Sequence, residues 1–454
     1  MTKKIPKVLI FGQSFNKNTG GGITLSNLFS GWPKDKIAVA NIGHGMRDVD
    51  FSVCVNYYLL GEKEYKWVFP FNKLQRQFES GVITPANNNN ITTVDNMLQV
   101  SSKNYRKIFI EKMFFPFVHY MGFSPKMCKL ILSPSFKIWL DNYQPDVIYV
   151  QVSNLESINF ANALKEYLQK PVILHMMDDW PSVISSRGPL KNYWHNTVDK
   201  ALRGLLNKCS LLLSISDAMT EEYEERFKLK FTSFHNPINI EDWLPYSKKD
   251  WQVNDTFKIL YTGRIGTANS ESIKLVAEAI HVMCTDGFKI SLDIFSPNTN
   301  TETAKGLKVF KGVTLKNIVP HSQIPSLLPQ YDLLVLPLDF DKKSLKFAKL
   351  SMPTKASEFM VSGTPILVFA PHQTALAKYA EKDKWAYLVT DPKEKIILDA
   401  LKELYNNYNL RAALGERAKA LAIENEDAHI IRHKFKEAIC SAYNINKESA
   451  IKAF

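Results

Sequence analysis

Residues 350–367 read Leu-Ser-Met-Pro-Thr-Lys-Ala-Ser-Glu-Phe-Met-Val-Ser-Gly-Thr-Pro-Ile-Leu, and this stretch predicts a short helix followed by a buried strand. Pro353 suits the first helical turn, where a missing N–H costs nothing, and Gly363 suits the position just past the helix end. We therefore expect a helix from about Pro353 to Ser362 and a strand from Ile366 to Phe369.

The two faces of this helix differ in chemistry. At about 100° per residue, Phe359 and Met360 share an apolar face, whereas Glu358 points nearly opposite and Lys355 lies beside it. A helix N-terminus together with Lys355 favours a diphosphate, and a carboxylate one turn further in can accept hydrogen bonds from two ribose hydroxyls. The alternative is an ordinary exposed Lys–Glu pair on a solvated helix.

The composition bounds the class of protein. A chain of 454 residues, 45% hydrophobic, is long enough for two or three domains. It contains no apolar run of membrane-spanning length, and Met1 to Lys7 lacks the apolar block of a signal peptide, so we expect a cytoplasmic protein. The five cysteines show no metal-binding or disulfide spacing.

The net charge of +12 implies attraction to anions. No recognisable nucleic-acid-binding module occurs, so nucleic acid is not expected as a partner. Residues 102–140 mix basic and aromatic side chains, which is compatible with peripheral binding to an anionic membrane at its cytoplasmic face. These basic and aromatic residues include Lys103, Arg106, Lys107, Lys112, Phe117, Tyr120, Phe123, Lys126, Lys129 and Lys137. The alternative is a set of amphipathic helices packed on a domain.

Short apolar runs alternate with helical patterns along the chain, which indicates parallel sheets covered on both faces. The first series has predicted strands at 7–11, 147–152, 172–175 and 211–215, with a glycine loop at Gly20-Gly21-Gly22 before a helix from Ile23 to Phe29. The second series has predicted strands at 258–261, 289–295 and 332–337. Residues 412–443 are predicted to be helical. Two α/β domains follow, with a boundary near 240–256.

Several of these segments together resemble the GT-B glycosyltransferases, most closely the retaining glycosyltransferase family 4 of bacterial polysaccharide synthesis. They are Tyr261-Thr262-Gly263-Arg264-Ile265-Gly266, Leu333 to Pro337, the Pro353 to Pro365 block, the Gly20-Gly21-Gly22 loop, and His175-Met176-Met177-Asp178-Asp179-Trp180-Pro181. The Pro353 to Pro365 block is the most specific of them.

The resemblance implies two Rossmann-like domains facing each other across a cleft. Residues 1–245 would bind the acceptor, residues 246–430 would bind the nucleotide-sugar, and residues 431–454 would form a helical segment able to pack back on the first domain. The implied donor-binding residues are Gly21, Gly22, Gly263, Arg264, Pro353, Thr354, Lys355 and Glu358.

The implied reaction transfers a hexose from a UDP- or GDP-sugar to a glycan or lipid-linked acceptor, with retention of configuration. Positioned cations and dipoles should supply most of the rate. Arg264 and Lys355 would stabilise the departing diphosphate, so neither a metal nor another cofactor is needed. Asp178, Asp179 and His175 would orient or deprotonate the acceptor hydroxyl. For His175 a core position, and for the aspartates a helix cap, are the alternatives.

Two positions depart from the family pattern. Leu350 stands where many members carry a first glutamate, eight residues before Glu358, and Ser270 stands where many carry a lysine. These departures leave open a catalytically weak nucleotide-sugar-binding protein, and the fold also leaves open a nucleotide-sugar epimerase. Asp48-Val49-Asp50 and Asp339-Phe340-Asp341 match the metal-binding pattern of a GT-A enzyme, but the spacing is common by chance.

Overall fold

A computed structural model describes residues 5–46, 48–68, 79–86, 110–121, 127–184 and 188–451. The chain forms two compact units, each built on a largely parallel sheet with helices. The first comprises Met1–Ile215, Thr220–Phe234 and Arg432–Phe454, and the second comprises Ser216–Met219 and His235–Ile431. The predicted class, α/β with two parallel-sheet domains, is confirmed.

The first unit contains an eight-stranded sheet in the order β10-β9-β8-β7-β1-β2-β3-β5. Its strands are β1 (Val8–Phe11), β2 (Ile37–Ile42), β3 (Asn56–Leu60), β5 (Gly81–Ile83), β7 (Val147–Val150), β8 (Val172–Met176), β9 (Leu211–Ser214) and β10 (Thr232–Ser233). Only the β3–β5 pair is antiparallel among these described strands. Strands β4 (Tyr65–Trp67) and β6 (Cys128–Leu130) form a separate antiparallel pair.

The central strands of this sheet, β1 and β7, are continuous apolar runs, in which apolar and polar residues do not alternate. Strands β1 and β7 are buried at every residue, as expected where helices cover both faces. The helices of this unit are α1 (Gly20–Leu28), α2 (Phe115–Met121), α3 (Pro134–Tyr143), α4 (Leu155–Leu168), α5 (Trp180–Val183) and α6 (Lys191–Leu206). Helix α7 (Asp217–Phe227) and the last helix of the chain have residues in both units.

The second unit contains a six-stranded sheet in the order β13-β12-β11-β14-β15-β16, and every pair is parallel. Its strands are β11 (Phe257–Thr262), β12 (Ile290–Phe295), β13 (Val313–Lys316), β14 (Leu333–Pro337), β15 (Ile366–Phe369) and β16 (Tyr387–Val389). Its helices are α8 (Ile240–Trp243), α9 (Ser270–Thr285), α10 (Glu302–Gly306), α11 (Ile324–Leu327), α12 (Lys342–Ala348), α13 (Lys355–Val361), α14 (Ala375–Asp383), α15 (Glu394–Asn406) and α16 (Tyr408–Asn425).

The predicted glycine loop is wrong in one respect, because α1 begins at Gly20 and takes all three glycines into its first turn. Thr19 is the N-cap, and its Oγ1 accepts a hydrogen bond from the N–H of Gly22 at 3.1 Å. A β-carbon at Gly22 would overlap the side chain of Asn16. The glycines therefore serve close packing at the helix start rather than an open loop.

The predicted helix from Pro353 to Ser362 is shorter in the structure, where α13 spans Lys355–Val361. Pro353 precedes the helix, and its carbonyl accepts a hydrogen bond from the N–H of Ala356 at 2.9 Å. Gly363 follows the helix with a φ of 69°, as its position predicts. Because seven residues give only a weak helix dipole, side-chain cations must carry more of any interaction with a diphosphate.

The predicted C-terminal helix consists of two helices, α16 and α17 (Ala428–Ile451), with a break at Glu426 and Asp427. Ile238 pairs with the chain at this break. Its N–H donates to the carbonyl of Glu426 at 2.9 Å, and its own carbonyl accepts from Ala428 at 2.8 Å. Beyond Arg432, α17 belongs to the first unit, where Phe435 packs against Phe29 at a ring distance of 5.1 Å.

The basic and aromatic segment 102–140 lies partly outside the described residues, including Lys103, Arg106, Lys107, Phe123 and Lys126. Its described part exposes Met113, Phe117 and Tyr120 on one side of the helical stretch 110–121. Among the helices that the structure describes, none combines the length and the apolar character that a membrane span requires.

Candidate functional site

The order of strands in the second unit marks where a ligand would bind. The chain runs outward from β11 through β12 to β13, then returns to the other side of β11 to form β14, β15 and β16. The loops after β11 and β14 therefore diverge at the carboxyl edge of the sheet. Such a switch point is where open α/β sheets bind their ligands.

Gly263 and Lys355 meet at this switch point. The Lys355 ammonium donates a hydrogen bond to the carbonyl of Thr262, the last residue of β11. It also lies 4.7 Å from the centre of the Tyr261 ring. Burial lowers the pKa of Lys355 to about 8, against an opposing effect of Glu358. The site thus holds a poorly solvated cation, a form of positive charge that a diphosphate would stabilise.

Arg264 follows Gly263, and its guanidinium is a second cation, exposed to solvent. Its backbone is fixed, since its carbonyl accepts hydrogen bonds from Tyr261 Oη at 2.7 Å and from Asn269 Nδ2 at 3.0 Å. Its guanidinium is exposed and makes no hydrogen bond or ion pair with any residue that the structure describes. A fixed backbone with an open guanidinium suits bidentate contact with phosphate oxygens.

Glu358 lies one turn after Lys355 and has a partner that the sequence did not indicate. His321 Nε2 lies 2.9 Å from Glu358 Oε1, and the two side chains are 63% and 14% exposed. His321 follows β13 by five residues, so it rises from the same edge of the sheet as Gly263. A single histidine in a loop gives no sequence signal, because the pairing joins residues 37 apart.

A buried network anchors the other face of α13. Glu426 accepts hydrogen bonds from Ser357 Oγ at 2.7 Å and from Tyr379 Oη at 3.2 Å, and it pairs with His235 Nδ1 at 2.9 Å. Burial alone would lower the pKa of His235, but the charge of Glu426 outweighs it and raises this pKa to about 9. Ser357 thus fixes the helix between Lys355 and Glu358.

The segment before α13 is also held by the second unit. The carbonyl of Thr354 accepts a hydrogen bond from Asn236 Nδ2 at 3.3 Å, and the carbonyl of Leu350 accepts one from Ser216 Oγ at 2.8 Å. The side chain of Leu350 is buried. Leu350 therefore packs as a core residue where the family pattern has a glutamate.

The first unit has its own switch point between β1 and β7. The chain runs from β1 to β2 and β3 on one side and from β7 to β8, β9 and β10 on the other. Gly12, the first residue after β1, has a φ of 94°, and a β-carbon there would overlap the carbonyl oxygen of Gln151. Gly21 and Gly22 lie at the start of α1, immediately after this loop.

The three residues predicted to contact the acceptor differ in their exposure to solvent. Asp178 is exposed after β8, whereas Asp179 and His175 are buried. His175 Nδ1 lies 2.5 Å from Tyr149 Oη inside the sheet. Burial lowers the pKa of His175 to about 4, so the imidazole is neutral near pH 7. This is the core position that the sequence left as an alternative.

Asp179 is saturated with hydrogen bonds and anchors the segment that follows β8. Its Oδ1 accepts from Tyr223 Oη and from Arg226 Nη1, each at 2.9 Å. Its Oδ2 accepts from Ser182 Oγ at 2.5 Å. Burial would lower the pKa of Arg226, but the contacts with Asp179 outweigh that effect and raise it. Asp179 thus holds its neighbour Asp178 at the carboxyl edge of the sheet.

The two Asp-x-Asp sequences are engaged in local structure. Asp339 accepts a hydrogen bond from the N–H of Ser272 at 2.8 Å, and Asp341 caps α12. Asp50 accepts from the N–H of Ser52 at 2.8 Å. Within the described ranges, no three His, Cys, Asp or Glu side chains are grouped so that they could hold a metal ion.

Comparisons with known proteins give a fold and no sequence family. No protein-family model matches the chain, and no curated protein matches its sequence. Sucrose-phosphate synthase from Thermosynechococcus elongatus is similar with a TM-score of 0.59 at 12% identity, over 95% of this chain and 97% of that one. HepE from Anabaena, solved with UDP and glucose, gives 0.58 at 14% identity, over 96% and 100%.

A third similar structure is α,α-trehalose 6-phosphate synthase from Burkholderia multivorans, with a TM-score of 0.56 at 12% identity, over 99% of each chain. Identities this low establish the fold alone. The chain therefore has the GT-B fold of two parallel-sheet α/β domains.

Proposed function

We propose that this protein is a glycosyltransferase that moves a hexose from a UDP- or GDP-sugar to a hydroxyl group of a glycan or lipid-linked acceptor. The observation that carries the proposal is the pair of cations at the switch point of the second unit, where Lys355 is held against Thr262 and Arg264 is open to solvent. The GT-B fold, and the UDP in the HepE structure, support the same class of donor.

In this proposal the donor diphosphate lies against Arg264 and Lys355, and Gly263 leaves room for the Lys355 ammonium beside it. Glu358 accepts hydrogen bonds from the ribose hydroxyls. Pro353 and Thr354 place Lys355 at the start of α13. We propose Gly21 and Gly22, in the first turn of α1, as further donor-binding residues through close backbone approach, since the N–H of Gly22 already donates to Thr19 Oγ1.

The proposed reaction forms a bond between the acceptor oxygen and the anomeric carbon. The bond from that carbon to the diphosphate oxygen breaks, and its electron pair leaves with the nucleoside diphosphate. The acceptor proton passes to a donor phosphate oxygen or to Asp178. Attack on the face from which the diphosphate departs gives retention, as the resemblance to family 4 implies. Arg264 and Lys355 neutralise the leaving charge, so we propose that no metal is required.

We propose Asp178 as the acceptor contact, because its carboxylate is exposed at the carboxyl edge of the first sheet. Buried Asp179 and His175 support the same segment from inside.

The acceptor is proposed to be a bacterial polysaccharide precursor, processed at the cytoplasmic face of the membrane. Exposed Met113, Phe117 and Tyr120 would contact anionic lipid, and vesicle binding that requires anionic lipid and weakens with salt is the expected result.

The test begins with thermal shifts against UDP, GDP, ADP, CMP and NAD, because a ligand that binds the folded state raises the melting temperature. We expect a shift with one nucleoside diphosphate. Glu358→Ala should then weaken that binding by about 1.5–3 kcal/mol, and Arg264→Ala should reduce turnover more than stability. Binding without transfer to any acceptor would indicate a binding protein. No nucleotide binding at all would reject the proposal.

A further inference from the structure

His321 is the only hydrogen-bonding partner that the described residues offer to the carboxylate of Glu358. The contact joins His321 Nε2 to Glu358 Oε1 at 2.9 Å. An ion pair with one partner 63% exposed contributes little to folding. Its position is the informative feature, because both residues lie at the edge of the sheet where the nucleotide is proposed to bind.

The contact leaves most of the carboxylate available to a ligand. An ionised carboxylate offers about four acceptor positions on its two oxygens. His321 takes one position on Oε1, and Oε2 has no partner within the described part of the chain. A ribose carries two neighbouring hydroxyl donors. Glu358 can therefore accept both of them while His321 keeps the carboxylate in one orientation.

We propose, on the basis of the proposed function, that His321 determines specificity in the nucleoside site by fixing Glu358 so that Oε2 faces a ribose hydroxyl. When a ligand lacks the 2′-hydroxyl, a fixed Oε2 of Glu358 loses its hydrogen-bond donor, and this costs binding free energy. A carboxylate that is free to rotate can accept a hydrogen bond from water instead. His321 thus makes the site favour ribonucleoside diphosphates over their 2′-deoxy forms.

The same contact makes this preference depend on pH. The hydrogen bond that His321 donates to Glu358 raises the pKa of His321, against a smaller effect of burial. Glu358 is the charged group that faces His321, and the same carboxylate also acts on the ammonium of Lys355, one turn earlier in α13. A charged imidazolium holds a carboxylate more strongly than a neutral ring does. The preference for ribose therefore weakens as pH rises through the raised pKa.

The experiment measures dissociation constants of UDP and 2′-deoxy-UDP by calorimetry between pH 5.5 and 8.5, with GDP and its deoxy form if thermal shifts select guanine. The variants are His321→Ala, His321→Gln and Glu358→Gln. The matched control is His433→Ala, which removes another exposed His–Glu pair, with Nδ1 3.6 Å from Glu437 Oε2 in the first unit. The phosphate groups of the nucleotide also titrate in this range, and this affects every variant equally. Each dissociation constant is therefore divided by the one measured for His321→Gln at the same pH.

We expect His321→Ala to weaken UDP binding about three- to tenfold and to reduce the ratio between UDP and 2′-deoxy-UDP, at an unchanged melting temperature. His321→Gln keeps a donor to Glu358, so it should restore the ratio and abolish its pH dependence. If Glu358→Gln loses affinity while His321→Ala behaves like His433→Ala, the inference fails and the proposed function stands. If the wild-type protein binds neither nucleotide, both fail.

Discussion

The ammonium of Lys355 occupies the space that a β-carbon at Gly263 would fill. The backbone at Gly263 has a φ of 133°, and its N–H donates to the carbonyl of Phe295 at 2.9 Å. Glycine is therefore required at this position both for its backbone conformation and for the space it leaves. The lysine cation therefore lies beside the first residue after β11.

Gly263→Ala should displace Lys355 and weaken nucleotide binding at least tenfold, because the new methyl group competes with the ammonium for the same space. The measurement is calorimetry with the nucleoside diphosphate that thermal shifts select. Gly266→Ala is the control, since a β-carbon there would meet no atom within 4 Å. Equal affinity in the two variants would contradict the proposed place of Lys355 in the donor site.

Lys355→Met should stabilise the nucleotide-free protein while it abolishes transfer. The pKa of Lys355 is lowered to about 8 in the folded protein, below its ordinary value. Below pH 8 the folded state therefore carries a charged group that it disfavours, and this cost disappears as pH rises toward the unfolded pKa. The variant should gain about 1–2 kcal/mol of stability at pH 7, and less at pH 10. A lower melting temperature at pH 7 would show that the hydrogen bond to Thr262 outweighs the cost of burial.

The Lys355 site also illustrates what the sequence could predict. The bounds of α13 and β15 were predicted to within two residues from Pro353, Gly363 and the apolar run that follows them. Helix-start residues, helix-stop residues and hydrophobic periodicity are local properties of the chain, so one sequence reports them. The partners of Lys355, Glu358 and Asp179 were not predicted. They are Tyr261, His321, Tyr223 and Arg226, brought together by tertiary contacts. Such contacts depend on the packing of separate elements, which one sequence does not report.

The start of α1 shows the same limit. Three successive glycines predicted a loop, since each favours an open backbone. The structure places them in a helical turn, because Thr19 caps the helix and the side chain of Asn16 leaves no room for a β-carbon at Gly22. Local composition indicated the right region, and tertiary packing decided its conformation.

His235→Gln should remove part of the pH dependence of stability. The pKa of His235 is raised to about 9 in the folded protein, so the charged pair with Glu426 stabilises the fold fully below the unfolded pKa of about 6.5. This contribution is lost as pH rises through 9. The wild-type melting temperature should therefore fall relative to that of the variant between pH 6.5 and 9. Parallel curves for the two proteins would refute the assignment, and His433→Ala serves as the exposed control.

The two adjacent aspartates should respond in opposite ways to the same substitution. Asp178→Asn removes an exposed carboxylate, so transfer should fall at least tenfold while the melting temperature stays within a few degrees. Asp179→Asn instead removes the buried carboxylate that pairs with Arg226, and because Glu222 still pairs with Arg226 at 2.8 Å the cost should be about 1–3 kcal/mol.

Thermal melting and a transfer assay on both variants separate these roles. If Asp178→Asn retains full transfer, the acceptor proton must go to the donor phosphate instead. If Asp179→Asn melts like the wild type, the contacts with Tyr223 and Arg226 are not what holds this segment. A loss of both properties in both variants would mean that the segment after β8 folds as one unit, so that neither carboxylate has a separable role.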